Sequence, residues 1–214
     1  MNDSEFLADQ LSRAKAFHDF VAPIFDTGSI EEGSFFYLLY FGVSENVLEH
    51  YIAILKLLED GDHFVSACAL LRPLMDTTLQ SVWLLWCGRK AGYEAWQFRS
   101  LVLPSGAECA GAIKEFMGAK YPGPFTLLAT EPSALSGNIH PEVEIQQRRF
   151  NGRVMWGPNW QRDALTLFIQ QASESVAIAA IVLMNKFGGH DPNIAGPEAE
   201  RVARKYVELF GTVT

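Results

Sequence analysis

Residues 63–87 read HFVSACALLRPLMDTTLQSVWLLWC, and the reading of this stretch decides the fold. It is apolar around most of its circumference, the mark of a helix destined for burial. Arg72, Asp76 and Gln80 interrupt it at successive spacings of four. At about 100° per residue the three fall within roughly 80° of one another, a narrow polar seam. A charged seam on a buried helix requires a partner, because an unpaired charge is costly away from water. Pro73 removes the amide that would bond the Ala69 carbonyl, so a kink is expected directly beside Arg72.

Helical periodicity continues on both sides. On the N-terminal side, Leu7, Leu11, Ala14, Phe17 and Val21 recur by threes and fours in a first helix that should stop near Pro23. A second helix from about Glu31 to Glu59 carries Phe36, Leu39, Val43, Val47, Tyr51, Ile54 and Leu58 on one face. Gly42 inside it costs about 1 kcal/mol relative to alanine, which points to a close helix crossing there. Asp60-Gly61-Asp62 ends this helix, and Asp62 is placed to cap the next.

On the C-terminal side, Tyr93 to Leu103 reads as a shorter helix with Trp96 and Phe98, and Pro104-Ser105 opens another through Cys109, Ile113 and Phe116. Residues 122–158 hold five of the ten prolines and form an irregular segment. Asn159 can cap a long helix from Trp160 to Phe187. A final helix, with Pro197 in its first turn, should reach about Phe210. No alternating strand pattern and no internal repeat is visible. The expectation is an all-α, single-domain helical bundle spanning residues 1–214, with three long helices, several shorter ones and the irregular insertion.

Composition bounds the function. A hydrophobic fraction of 49% is high for a monomer and favours a homo-oligomer, most simply a homodimer. A formal net charge of −8 argues against bulk non-specific DNA binding, which rests on cationic contacts with phosphate. Cys68, Cys87 and Cys109 are odd in number and lack paired spacing, so they read as buried free thiols of a reducing, cytoplasmic compartment. Met1 is followed by acidic and polar residues, so no signal peptide is expected. The apolar run from Ala164 to Met184 is broken by Gln170, Gln171, Ser173, Glu174 and Ser175, which favours a core helix over a membrane span.

Several residues are candidates for chemistry. Arg72 and Asp76 are one helical turn apart. They form either a structural brace between helices or an anion-binding pocket in which the carboxylate orients the guanidinium fork, and Gln80 extends both arrangements. His140, in the loop Ser136-Gly-Asn138-Ile-His140-Pro141, is placed either to act as acid or base or to fix the loop through a backbone bond. Glu142 and Glu144 lie near it, but no group of residues has zinc-ligand spacing, and no cofactor is implied. Arg148 and Arg149 belong to the one basic cluster of this acidic chain, with Phe150, Trp156 and Trp160 close in sequence. That cluster suits a phosphate or a stacked base, or equally a solvated rim. Phosphate-cradling glycine loops, nucleophile elbows and paired cysteines do not occur.

Ala69-Leu-Leu-Arg72-Pro-Leu-Met-Asp76, followed by Trp83-Leu-Leu-Trp86 and later by Ser136-Gly-Asn-Ile-His140 and Gln146-Gln-Arg148-Arg149, resembles a set of bacterial all-helical proteins. In those, an arginine and a carboxylate one turn apart precede a histidine-bearing loop, and some are distant relatives of the HEPN superfamily of RNA-cleaving toxins and defence proteins. The resemblance covers about residues 35 to 185. It implies a dimerising helical bundle that handles an anionic ligand. The HEPN signature, an arginine and a histidine separated by four to six residues, usually stands at the start of a late helix; in this chain that spacing occurs only between Arg13 and His18, on the first helix.

Three readings follow. In the first, Arg72, Asp76, Gln80, Asn138, His140, Arg148 and Arg149 form a polar pocket for a nucleotide, an RNA phosphate or another small anion. If the protein is an enzyme, the reaction is metal-independent RNA cleavage with His140 as acid or base. In the second, Arg72 and Asp76 brace a non-catalytic, homo-oligomeric interaction protein. In the third, Trp83, Trp86, Trp96 and Trp156 line a pocket for a small apolar ligand.

Overall fold

The computed structural model describes residues 3–25, 35–61, 63–87, 103–117, 162–187 and 192–211. Within them the chain is all-α. The helices are α1 (Asp3–Phe25), α2 (Phe35–Glu59), α3 (Phe64–Trp86), α4 (Gly106–Met117), α5 (Arg162–Phe187) and α6 (Pro192–Phe210). The three long helices expected from periodicity are α2, α3 and α5, and α1, at 23 residues, proves as long as α3. The helix expected over residues 93–103, the irregular segment 122–158 and the cap at Asn159 lie outside the described residues.

Apolar spacing explains which face of each helix turns inward. In α1 the buried positions Leu11, Ala14, Phe17, Val21 and Phe25 follow the helical repeat. The helix continues through Pro23 to Phe25 instead of stopping there. At the last turn the proline forfeits only the bond to the Asp19 carbonyl, while Phe25, 4% exposed, is gained for the core. The last helix likewise begins earlier than expected, at Pro192, and contains Pro197. Proline suits a first helical position because its missing amide would have no intrahelical partner there.

α5 is the central helix. It packs against α1, α2, α3 and α6, and these four follow one another around it as α6–α1–α2–α3. Its residues 172–180 are all buried, whichever side they face. The most apolar part, Leu165–Met184, is long and apolar enough to cross a bilayer, and 72% of it is buried inside the bundle. The seam-bearing α3 is thus a wall of the bundle, set between α2, α5 and α4.

Helix ends account for several details. α2 stops at Gly61, whose φ of 74° places it in the left-handed region that glycine tolerates, and the Gly61 amide donates to the Leu58 carbonyl. Gly211 ends α6 in the same conformation, donating to Val207 O at 2.8 Å. Asp62, expected to cap α3, lies outside the described residues; the cap position falls to His63, which makes no side-chain cap bond. α3 runs unbroken through Pro73.

The described residues make no close crossing at Gly42, where one was expected: none of their atoms stands within 4 Å of a Cβ built there. It occurs at Gly106 instead, where α4 meets α3.

Candidate functional site

The polar seam of α3 finds its partner in the turn that starts α4. Arg72 Nε donates to Asp76 Oδ2 at 2.9 Å, with the two side chains 29% and 31% exposed. The other carboxylate oxygen lies against Gly106, the first residue of α4. A Cβ added there would stand 1.9 Å from Asp76 Oδ1, 2.8 Å from Cγ and 3.2 Å from Cα. Only glycine permits this approach. It brings a carboxylate to the end of α4 where the helix dipole is positive. One turn further along α3, Gln80 Nε2 donates to the Pro104 carbonyl at 2.9 Å.

The start of α4 is itself fixed by a reciprocal cap. Glu108 Oε2 accepts from both the amide and the hydroxyl of Ser105 at 2.8 Å, and the Glu108 amide donates back to Ser105 Oγ at 3.4 Å. These bonds satisfy helix-end amides that would otherwise lack partners. The same bonds, from the Ser105 side chain and then its backbone, hold the Glu108 carboxyl below the usual carboxylate range. The motif Ser105-x-x-Glu108 is a sequence signal for this cap, and it identifies Ser105 as the last residue before the helix.

Three further hydroxyls, on the other faces of α3, bond within the helix itself. Thr77 and Thr78 hydroxyls donate to the carbonyls of Pro73 and Leu74, four residues back, and Ser81 donates to Thr78 O. Trp83 and Trp86 are half-buried and pack against the core. Cys109 is fully buried with its sulfur 3.7 Å from Pro104 O. Burial pushes its thiol up to about 12, helped by the charges of Glu108, Cys87 and Asp76. Burial alone does the same to Cys68. All three cysteines are free thiols, though Cys68 and Cys87 are half-buried instead of fully buried as the sequence suggested. Such thiols are poor nucleophiles at neutral pH.

Of the sequence-derived site, then, Arg72, Asp76 and Gln80 come together on α3. His140, Asn138, Arg148 and Arg149 lie outside the described residues, as do Trp96 and Trp156. Arg13 and His18 have separate partners: Arg13 pairs with Asp9 at 2.9 Å and donates to Leu209 O, while His18 Nδ1 meets Asp19 Oδ1 at 3.0 Å. Among the described residues no three histidine, cysteine or carboxylate side chains cluster as metal ligands.

A second polar cluster sits in the core, where sequence reasoning did not seek one. The Tyr51 hydroxyl of α2 donates to the Ala14 carbonyl of α1 at 3.1 Å and bonds Ser173 Oγ of α5 at 2.8 Å. Gln170 Nε2 donates to Phe210 O at 2.9 Å, and the Tyr206 hydroxyl to Gln170 O at 3.4 Å. Glu174, 1% exposed, lies within the same helix. Burial foremost, then the Glu174 charge, raises the Tyr206 phenol above its ordinary value. The signal was present in the polar residues that interrupt Leu165–Met184: Gln170 and Ser173 tie α5 to its neighbours, while Ser175 donates to Gln171 O within the helix.

An open groove of about 280 Å³ runs between α1 and α2, lined by Ala22, Phe25, Glu45, Leu48, Glu49 and Ile52. It contains none of the predicted site residues. No family model, curated protein or solved structure matches the chain.

Proposed function

We propose that the protein is a non-catalytic helical interaction protein, cytoplasmic and homodimeric, in which Arg72, Asp76 and Gln80 brace α3 to the start of α4. The observation that carries this reading is the clamp on Asp76: one carboxylate oxygen accepts from Arg72 Nε and the other lies against Gly106. The seam charge is thereby used inside the fold. The 49% hydrophobic fraction of the chain supports the homodimer, and Phe116, Leu167 and Val207 are exposed by 63%, 50% and 43%.

Asp76→Ala tests the brace. Because the pair is about a third exposed, its loss falls between that of a surface pair and that of a buried one, at about 1–2 kcal/mol. Sedimentation at micromolar concentration checks the dimer. Unchanged denaturation of Asp76→Ala would remove the brace, and a concentration-independent monomer would remove the dimer.

The exposure of Arg72 favours one second reading, the pocket for a nucleotide, an RNA phosphate or another small anion, completed by Asn138, His140, Arg148 and Arg149. In that reading phosphate, ATP or an RNA oligomer raises Tm by mass action, and Arg72→Ala abolishes the shift. If RNA is cut, His140→Ala stops cleavage and leaves the fold intact. Equal Tm with and without these ligands leaves the brace alone.

A further inference from the structure

We infer that α4 is a detachable strap: it leaves α3 as a unit while the rest of the bundle stays folded, uncovering Asp76, Gln80 and the Cys109 thiol. The inference rests on the reading of the seam as a brace and adds what the brace controls.

Three features set α4 apart from the bundle it is docked on. Its extensive packing among the described helices is against α3, whereas α5 packs against four helices. Among its described side chains only Gly106, Cys109 and Ile113 are buried, while Ala107, Glu108, Gly111, Lys114, Glu115 and Phe116 are exposed. α5, by contrast, has nine consecutive buried residues, 172–180. A 12-residue helix is marginal by itself, so its order depends on docking.

The docking contacts are also of a reversible kind. They are a carboxylate against a helix N-terminus and an amide bonded to a carbonyl, at positions partly open to water. Water can replace each of them when the helix lifts, so opening costs less than breaching an apolar core. Regions with few buried apolar contacts open below the free energy of global unfolding. Ile113 and Cys109, both fully buried, are the apolar anchors that hold the strap closed.

The experiment is native-state hydrogen exchange read by mass spectrometry on the full chain. Peptides from residues 106–117 should exchange on the order of a hundredfold faster than peptides from residues 172–183, with little denaturant dependence. Gly106→Ala should speed exchange in α4 and leave α5 unchanged, and Ser105→Ala, which removes only the cap, should act in the same direction. Cys109 alkylation by iodoacetamide should accelerate in parallel. Equal rates and equal denaturant dependence in α4 and α5 would overturn the strap, as would variants that speed both helices together. The brace would survive that result: it fails on Asp76→Ala stability, the strap on the difference between two helices.

Discussion

Replacing Gly106 with alanine sets two forces of opposite sign against each other. Alanine is the better helix former, and it restricts the unfolded chain, so by propensity alone the change should stabilise by about 0.4–1 kcal/mol. The tertiary contact opposes this. The new methyl would lie 1.9 Å from Asp76 Oδ1 and 2.8 Å from Cγ, where non-bonded atoms keep 3.0 Å or more. The carboxylate cannot turn away freely, since Arg72 Nε holds its other oxygen at 2.9 Å. Nor can the backbone absorb the methyl, since Asp76 Cα is 3.2 Å from it. Either the ion pair breaks or α4 shifts. Overpacking of this kind costs about 1–3 kcal/mol, so a net destabilisation of about 1–2 kcal/mol is expected. The loss is capped by the docking free energy of α4, because a helix that has left α3 no longer feels the clash. Urea unfolding followed by tryptophan fluorescence reads the change as a lower midpoint at unchanged m. The decisive comparison is a double-mutant cycle with Asp76→Ala. Without the carboxylate the two closest contacts of the methyl, with Oδ1 and Cγ, are gone, so the cost of Gly106→Ala should fall by at least about 1 kcal/mol. A stabilising Gly106→Ala, or additive single changes, would refute the reasoning.

Two further predictions concern the core. Tyr51→Phe removes the donor to Ala14 O and the partner of Ser173 Oγ, both buried, and should cost about 1–3 kcal/mol in chemical denaturation; a change within about 0.5 kcal/mol would show that the knot adds nothing. The second is alkaline sensitivity. Cys68 and Cys109 are raised from 9.0 to about 12 by burial, so below pH 9.0 both states hold these protons and stability is unaffected. Between pH 9.0 and about 12 the unfolded chain binds fewer protons than the native one, so stability falls as pH rises. The buried Tyr51 and Tyr206 phenols, raised from 10.0, add to the fall at its upper end. Urea midpoints measured across this window should flatten in Cys68→Ala and Cys109→Ala, and a midpoint that stays constant or rises would contradict the burial of these thiols.

Much of the helical layout was legible because periodicity is a local property. The faces of α1 and α2 follow from residues three and four apart, and the observed buried positions Val43, Val47, Tyr51, Ile54 and Leu58 belong to the face inferred for α2. The helix starts were less legible. Pro23 and Pro197 read as boundaries, yet both lie within helices; at Pro23 the one lost hydrogen bond is outweighed by the burial of Phe25. The rank of the helices was not legible at all. Both α3 and α5 are apolar runs carrying polar residues, and only their neighbours make α5 the centre and α3 a wall.

The candidate site divides in the same way. From the sequence alone, Arg72, Asp76 and Gln80 had to share one face of one helix and that face had to find a partner, because helix geometry and the cost of burying charge are independent of the rest of the chain. The partner itself, the Pro104-Ser105-Gly106 turn, was decided by tertiary structure. Gly42 and Gly106 show why. Gly42 lies inside a helix and Gly106 at the start of one, and the cost of an interior glycine suggested a crossing at the first. The described atoms leave Gly42 open and press Asp76 against Gly106. Propensity is summed over neighbours in sequence, whereas close approach is set by which helix faces meet across the fold.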